Sequence, residues 1–448
     1  LTRITATTPG DFSGYAEGDV GYITTDDTDE AGFIIGECFS VAHVDPSGDY
    51  IISDRELYET YDAATKTTTV RFMRSKPQIR IHPGITMVPA NDVTQDPITR
   101  TTAVRLICAY DPQVDIDIDN AYNFGVHLEG PYLGNVHANC RNLHVDYDIE
   151  AFGYGVVLEG PAYNTHVTAK GVKSGHLTVI GGEGTTYNAS FNGRCGTPID
   201  CVTEADSVQA RNAAADCHWG KRCRIISRTR AGFYDGNSTV THNVSGVAVH
   251  GKELVVTSDA IDCHQALELR ENAAVNTYTF KDCTFSGTLA NFNTFIRIPT
   301  LVAKATIIID GGKIDIPAGN YRPFESTGTA GPVDIMVNDL TVVNPLEIYN
   351  HQIAGDVNSL TIFNMTVLAG SGTQEQLFTF GQDSTDKVQV WHMNVVNNVG
   401  NNHPLGIGNA GAGITASVRV GTILSTSAIA DESPGNSGTF TKNALNTA

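Results

Sequence analysis

The sequence predicts an all-β chain wound as a right-handed parallel β-helix, a solenoid. Two observations lead there: a unit of roughly 25 to 35 residues recurs along most of the chain, and no helical periodicity separates its copies. Aligning "GVHLEGPYLGNVHANC" from Gly125 with "GVVLEGPAYNTHVTAK" from Gly155 takes a shift of 30 residues, and "ALELRENAAVNTYTFKDC" from Ala266 follows the same plan. Downstream, "FKDCTFSG", "IDGGKIDI", "VNDLTVVN", "IFNMTVLAG", "VWHMNVVNN" and "VRVGTILS" each join a polar turn to a short β-rich run. Matching Thr284, Lys313, Thr341, Thr366, Asn394 and Thr422 gives steps of 29, 28, 25, 28 and 28. Upstream, "VRFMRSKPQIRI" and "VRLICAYDPQVDI" place Pro77 and Pro112 35 apart. Strands with no helical crossover cannot build a βαβ sheet, whereas a coil of three short strands can stack on the next about 4.8 Å away. The rival, a pair of β-sandwiches, calls for antiparallel hairpin signals, and "DG" here falls mainly at coil corners.

In chain order, residues 1–68 read as a small, irregular β cap or adaptor, and 69–424 as the solenoid. Val, Ile, Leu and Phe point inward as columns, with Asn and Gly at corners that need left-handed backbone. "GRCGTPIDCVTEADSVQARNAAADCHWG" reads as an insertion near 193–220, the kind of excursion where binding resides. Residues 425–448 are small and polar, a tail.

Composition narrows the partners. At 448 residues and 41% hydrophobic the chain can bury a large core, and a formal charge of -20 argues against nucleic acid or an anionic membrane as partner. No apolar run reaches the length of a membrane span, so no membrane insertion is expected, and "LTRITATTPGDF" has no signal-peptide pattern. The chain begins without Met, as a fragment does. Nine cysteines without a CxxC spacing read as reduced, buried small hydrophobes, not as a zinc site or a disulfide framework.

The coils "YGVVLEGPAYNTHV", "RCRIISRTRAGFYDGNSTVTHNVSGVAVHG" and "SDAIDCHQALELRENAAVNTYTFKDCTFSG" resemble the pectate-lyase-like β-helical body of bacteriophage tailspike proteins, capsular polysaccharide depolymerases, over roughly Val104 to Gly287. Where several relatives place Arg-His after a coil, this chain has Arg230-Ala231. The resemblance implies a homotrimer on the virion tail, outside the host cell, joined to the tail or baseplate through a more N-terminal part. It implies binding of a bacterial surface polysaccharide, capsular or O-antigen, and its cleavage by hydrolysis or by elimination.

The residues themselves offer acidic rows. In "VDIDIDN", Asp115, Asp117 and Asp119 share one strand face while Val114, Ile116 and Ile118 share the other. A shift of 31 sets them beside "HVDYDIEA", with His144, Asp146, Asp148 and Glu150. The same ribbon is expected to continue through His176 and Thr178, then Arg222 and Arg224, then Asp259, Asp262 and His264. Carboxyls about 5 to 5.5 Å apart suit a retaining glycosidase, and about 6.5 to 9.5 Å an inverting one; a β-helix offers both spacings. Asp259, Asp262 and His264, with Asp146 and Asp148, are the expected catalytic groups. Arg224, Arg228 and Arg230 are expected to hold an acidic sugar, with His176 beside them and Trp219 and Tyr234 as stacking platforms. A solvated acidic face, and internal pairing of the Arg strand with the Asp rows, stay open beside these roles. Glu129 and Glu159 in "LEGP" read as corner residues.

No metal or cofactor is expected. "DIDIDN" lacks the Gly and Glu of an EF-hand, having Asn120 and Val126 in their places, and the recurring His127, His137, His144 and His166 form no ligand set. No GxSxG elbow occurs. Glycoside hydrolysis is the expected chemistry, with two alternatives: a lyase acting on a uronate, in which Arg neutralises the carboxylate and His264 takes the proton, and a receptor-binding fibre or adhesin without activity.

Overall fold

A computed structural model describes residues 1–29, 32, 34–72, 80–81, 86–87, 102–119, 124–141, 143, 153–181, 196–210, 213–230, 245–263, 265–269, 276–287, 294–298, 304–316, 322–326, 333–343, 349–351, 359–368, 378–380, 387–396, 407–409, 417–425, 440–442 and 446–447. All of its regular elements are β-strands. The chain divides into two compact units: Leu1–Gly171 with Leu177–Glu204 and His218–Cys223, and Val172–His176 with Ala205–Cys217 and Arg224–Ala448.

The first unit begins with an antiparallel sheet more regular than the expected cap, in the order Arg3–Thr5, Tyr50–Ser53, Ile34–Val44, Val20–Thr28, Thr68–Phe72. Ile4, Phe12, Ile23, Phe39, Val41, Ile51 and Leu57 are its core. Parallel coils follow. Val104–Ile107, Phe124–Glu129 and Tyr154–Glu159 stack as one ladder, the last two at the shift of 30 that the "GV-LEGP" alignment gives. Tyr110, Tyr132, Tyr163, Ile199 and Lys221 stack at a corner. The antiparallel sheet is tied to that corner: the Tyr132 hydroxyl donates to Asp54 at 2.6 Å, Arg55 lies 3.9 Å over the Tyr163 ring, and the buried Lys221 ammonium sits 2.8 Å from Asp29 and bonds Glu59. Close packing leaves little room nearby: a Cβ on Gly181, whose φ is +68°, lies 2.2 Å from the Trp219 carbonyl oxygen. Gly181→Ala is therefore expected to destabilise this unit by about 2–4 kcal/mol, measured by chemical denaturation.

In the second unit Ala213–Cys217, Ser245–Val249, Gln265–Leu269, Thr294–Ile298, Arg322–Ser326, Tyr349–His351, Phe378–Phe380 and Ile407–Asn409 form one continuous parallel ladder. A second ladder starts with Arg224–Arg230 and Leu254–Ile261. Beyond them the next four turns are each two short strands, such as Asn276–Lys281 and Thr284–Ser286, split at a corner by Asp282 with φ 50°, before Lys387–Val396 and Ser417–Ser425 run unbroken. Successive coils superimpose like on like, so Tyr278, Ile307, Ile335 and Leu360 make one buried column and Phe285, Ile314, Val342 and Val367 another. In this unit Asp262, Asp282 and Asp339 take positive φ at corners, which a short polar side chain tolerates, beside the expected Gly at Gly311 and Gly312.

Three expectations give way. The stretch near 193–220 is no insertion: Val202–Ala210 and Ala213–Cys217 are coil strands. Their inward positions hold Thr203, Ala205, Ser207 and Ala215, all buried and small or polar, so the hydrophobic alternation is faint. The tail also joins the ladder, since Phe440–Lys442 and Asn446–Thr447 pair in parallel with Ser417–Ser425. And the alignment slips at both ends of the repeat: Thr422 pairs with His392 rather than Asn394, and Arg80 pairs with Gln113, not with Asp115 as matching Pro77 to Pro112 requires.

Candidate functional site

The row "VDIDIDN" alternates as expected, with Val114, Ile116 and Ile118 buried and Asp115, Asp117 and Asp119 facing outward. Its partner is a different strand from the one expected. Asp115, Asp117 and Asp119 lie opposite His137, Asn139 and Arg141, and the Asn139 amide donates to Asp117 at 2.8 Å. Three like charges on one strand are thus faced by a neutral donor and two basic side chains one coil on, which relieves their repulsion. His144, Asp146, Asp148 and Glu150 lie outside the described residues, as do Tyr234 and His264.

The single ribbon separates into two. Arg228 and Asp259 are directly opposed on the second ladder, and Asp259 in turn faces Thr284. Arg228 Nε is 3.7 Å from Asp259 Oδ2 and its Nη1 is 3.9 Å from Asp206 Oδ2, while the Thr284 hydroxyl donates to Asp259. Lys313 stands one coil beyond Thr284. The row therefore alternates charge from coil to coil on an exposed face, a self-paired ladder of the kind worth little individually. Arg228→Gln is expected to change the unfolding free energy by less than about 1 kcal/mol in urea titration. Arg224 and Arg230 are exposed on the same strand. Asp262 is a left-handed corner residue, φ 55°, whose amide donates to the Ser286 carbonyl at 2.9 Å. Arg222 sits at the corner of the first unit, 2.6 Å from Asp200.

Two of the expected surface groups are interior. Trp219 is 1% exposed and donates its indole N–H to Asp29 at 2.9 Å, which removes it from any face a glycan can stack on. His176 is buried and belongs to the other sheet; its Nδ1 lies 2.9 Å from the Ala213 carbonyl, an acceptor only, so Nδ1 carries the proton. Asp216 Oδ2 stands 3.4 Å from the same nitrogen.

That other sheet carries a second acidic row. On its outward face Asp216 is opposite Ala248, Ala248 opposite Glu268, and Glu268 opposite Arg297. Two coil steps separate Asp216 from Glu268, about 9 to 10 Å between backbones, and the residue between them offers only a methyl group. Glu268 is oriented by its neighbours: its Oε2 accepts from the Ser245 hydroxyl at 2.9 Å and from the Gln265 amide at 2.8 Å. The row is graded in exposure, with the Asp216 side chain at 0%, Glu268 at 31% and Arg297 at 35%. One carboxyl is thus shut away from water beside a histidine, the second is partly exposed, and beyond Arg297 the register continues to Glu325.

The sequence hid this row because its signal is thin: in "AAADC" and "SGVAV" one acid or none stands among small residues, and "QALEL" shows one Glu. His176 was the only member singled out. Glu129 and Glu159, taken for corner residues, are strand-end side chains fully buried opposite each other, with His127 Nε2 2.8 Å from Glu159 and Arg105 Nε 2.5 Å from Glu129. Cysteines 38, 108, 140, 201, 217, 223, 263 and 283 are in no disulfide, and all but the half-buried Cys108 are buried. No group of three or more His, Cys, Asp and Glu side chains that could hold a metal occurs among the described residues.

No family model and no curated protein sequence matches the chain. Among solved structures it is similar to the tailspike protein gp49 from Pseudomonas phage LKA1, with a TM-score of 0.52 and 14% identity over 93% of this chain. The fold is shared with a phage tailspike. The Gp54 tailspike of Acinetobacter baumannii bacteriophage AP22, solved in complex with A. baumannii capsular saccharide, aligns over 100% of the chain at 12% identity with a TM-score of 0.47. The chain spans 64% and 66% of the lengths of those two proteins. The all-β parallel β-helix expected from the repeat is thus the architecture found.

Proposed function

We propose that the chain binds a bacterial surface polysaccharide at a virion tail and cleaves it by glycoside hydrolysis. One observation carries the chemistry: Asp216 and Glu268 face the same way from strands two coils apart, with only the Ala248 methyl between them. The two-coil spacing, about 9 to 10 Å between backbones, lies near the upper end of the carboxyl separation of inverting glycosidases, about 6.5 to 9.5 Å, which leaves room for a water opposite the scissile bond. Asp216 is assigned as the acid that protonates the glycosidic oxygen; its side chain is buried in the free protein, so glycan binding has to open the row to reach it. Glu268, partly exposed and oriented by Ser245 and Gln265, is suited to activate the water. The fold shared with a tailspike supports the polymeric substrate and the place outside the host cell.

A second reading keeps Asp259 as a catalytic carboxylate, with Asp206 as its partner across Arg228, because that row is exposed along its length. It is the weaker of the two: the guanidinium occupies the space where the water and the glycosidic oxygen have to meet. The test is to incubate the protein with capsular and O-antigen polysaccharides and to size the products. New reducing ends support hydrolysis, unsaturated ends make the enzyme a lyase, and retention of the polymer at full length by a protein that binds it makes the chain a receptor-binding fibre.

Assembly belongs to the same proposal. Exposed strand faces are commonly protected by lateral association, and the resemblance points to a parallel homotrimer. Light scattering at micromolar concentration is expected to give three times the 47.9 kDa chain mass; a monomeric mass contradicts it.

A further inference from the structure

We infer that Phe363 and Trp391 form a stacking platform for a sugar ring, a glycan-holding site separate from the Asp216–Glu268 row. The inference rests on the polysaccharide-binding part of the proposed function and not on its hydrolytic part. Ile362 and Val390 are register partners with buried side chains, and so are Met365 and Met393. The same shift of 28 sets Phe363 beside Trp391, one coil step of about 4.8 Å apart, where Ser359–Ile362 and Met365–Leu368 meet at a corner. Phe363 is 47% exposed and Trp391 55%. This place in the coil holds Lys281, Asp310 and Asn338 on the three preceding coils, the polar choice that an outward corner favours. Two large aromatic rings exposed on consecutive coils break that pattern.

The surroundings fit a sugar. Thr361 and Gln389, also register partners, stand on the other side of the buried Ile362 and Val390 and so face outward with the rings. A pyranose lays a C–H face on aromatic carbon and offers hydroxyls at its rim, which a threonine hydroxyl and a glutamine amide can bond. On the coil beyond, the register partner of Trp391 is Gly421, which has no side chain to cover the indole. Met336 on one side of the Thr361–Gln389 row and Arg419 on the other bound the patch along the solenoid. The exposed parts of Met336, Phe363 and Trp391 are on the order of 300 Å², against about 800 Å² per partner in a standard protein interface, so the patch suits one small ring rather than a second copy of the chain. Glu268 lies on the other ladder, three coils earlier, so a polymer held here is anchored away from the reacting pair.

The test uses the full chain and its Trp391→Ala, Phe363→Ala and Trp391→Tyr variants, with purified capsular and O-antigen polysaccharides as probes. Trp219 is 1% exposed, so of the chain's two tryptophans only Trp391 is open to acrylamide, and quenching of its fluorescence reports on the platform. Wild type is expected to be retarded in affinity gels by one of the polymers, and the same polymer to shield Trp391 from acrylamide. Trp391→Ala and Phe363→Ala are each expected to raise Kd by about tenfold with unchanged unfolding midpoints, and Trp391→Tyr to recover most of the affinity. A polymer that binds all the variants equally and leaves the quenching unchanged overturns the inference alone and puts the glycan elsewhere. No binding by any polymer overturns the inference and the polysaccharide reading together. A wild-type Trp391 already shielded in a trimer, whose mass in light scattering falls when Trp391→Ala and Phe363→Ala are combined, also overturns it and makes the patch a contact between copies.

Discussion

Asp216→Asn and Glu268→Gln are each expected to lower the rate of polysaccharide cleavage by about 10² to 10⁴, with the fold and glycan binding retained. The amides keep size and much of the hydrogen bonding, so Ser245 and Gln265 still find an acceptor at position 268. What is lost is a proton donor in one variant and a base in the other. Asp206→Asn and Asp259→Asn, on the exposed ladder, are expected to leave most of the activity. Product release from each purified variant, followed by reducing-end assay and normalised to folded protein, separates the two faces of the coil. If Asp259→Asn is the dead enzyme and Glu268→Gln the active one, the reaction belongs to the Arg228 row.

Lys221→Met is expected to destabilise the first unit by about 3–5 kcal/mol, read from chemical denaturation. The Lys221 side chain is 2% exposed and Asp29 beside it 1%, so removing the ammonium strands a carboxylate away from water. The double change Lys221→Met with Asp29→Asn removes both charges and is expected to recover part of the loss. The pair also sets a pH dependence. Burial alone lowers the proton affinity of Lys221, but Asp29 and then Glu59 outweigh it and hold the ammonium above its ordinary 10.5. A group raised on folding contributes its full stabilisation below its unfolded value and loses it as pH rises through the folded one. Wild type is therefore expected to lose stability above about pH 10.5 more steeply than Lys221→Met.

The solenoid was readable in the sequence because each coil repeats the same inward choice. Phe285, Ile314, Val342 and Val367 stack at the spacing the aligned "TF", "KI", "TV" and "TV" pairs indicate. Where interior positions hold Thr203, Ala205 and Ser207, hydrophobic contrast vanishes and a regular coil passes for an insertion. Register was less secure than fold, since a strand carries no mark of its partner beyond its own alternation. "VDIDIDN" matches "HVDYDIE" in pattern, yet it pairs with "NVHANCR", whose inward Ala138 and Cys140 are small. The same limit hid the candidate site. Asp216, Ala248 and Glu268 become neighbours only through pairing across two coils, and nothing in the single residues Asp216 and Glu268 distinguishes them from the more conspicuous acids of the exposed ladder. The burial of Trp219 was hidden likewise, because its partner Asp29 is 190 residues away.

The most direct test of the account is proton NMR of the first products formed when wild type cleaves its polysaccharide. An acid at Asp216 and a base at Glu268, two coils apart with a water between, predict a new reducing end that appears first in the anomeric configuration opposite to that of the bond cut, then mutarotates. A product that retains the configuration, or one ending in an unsaturated sugar, contradicts it.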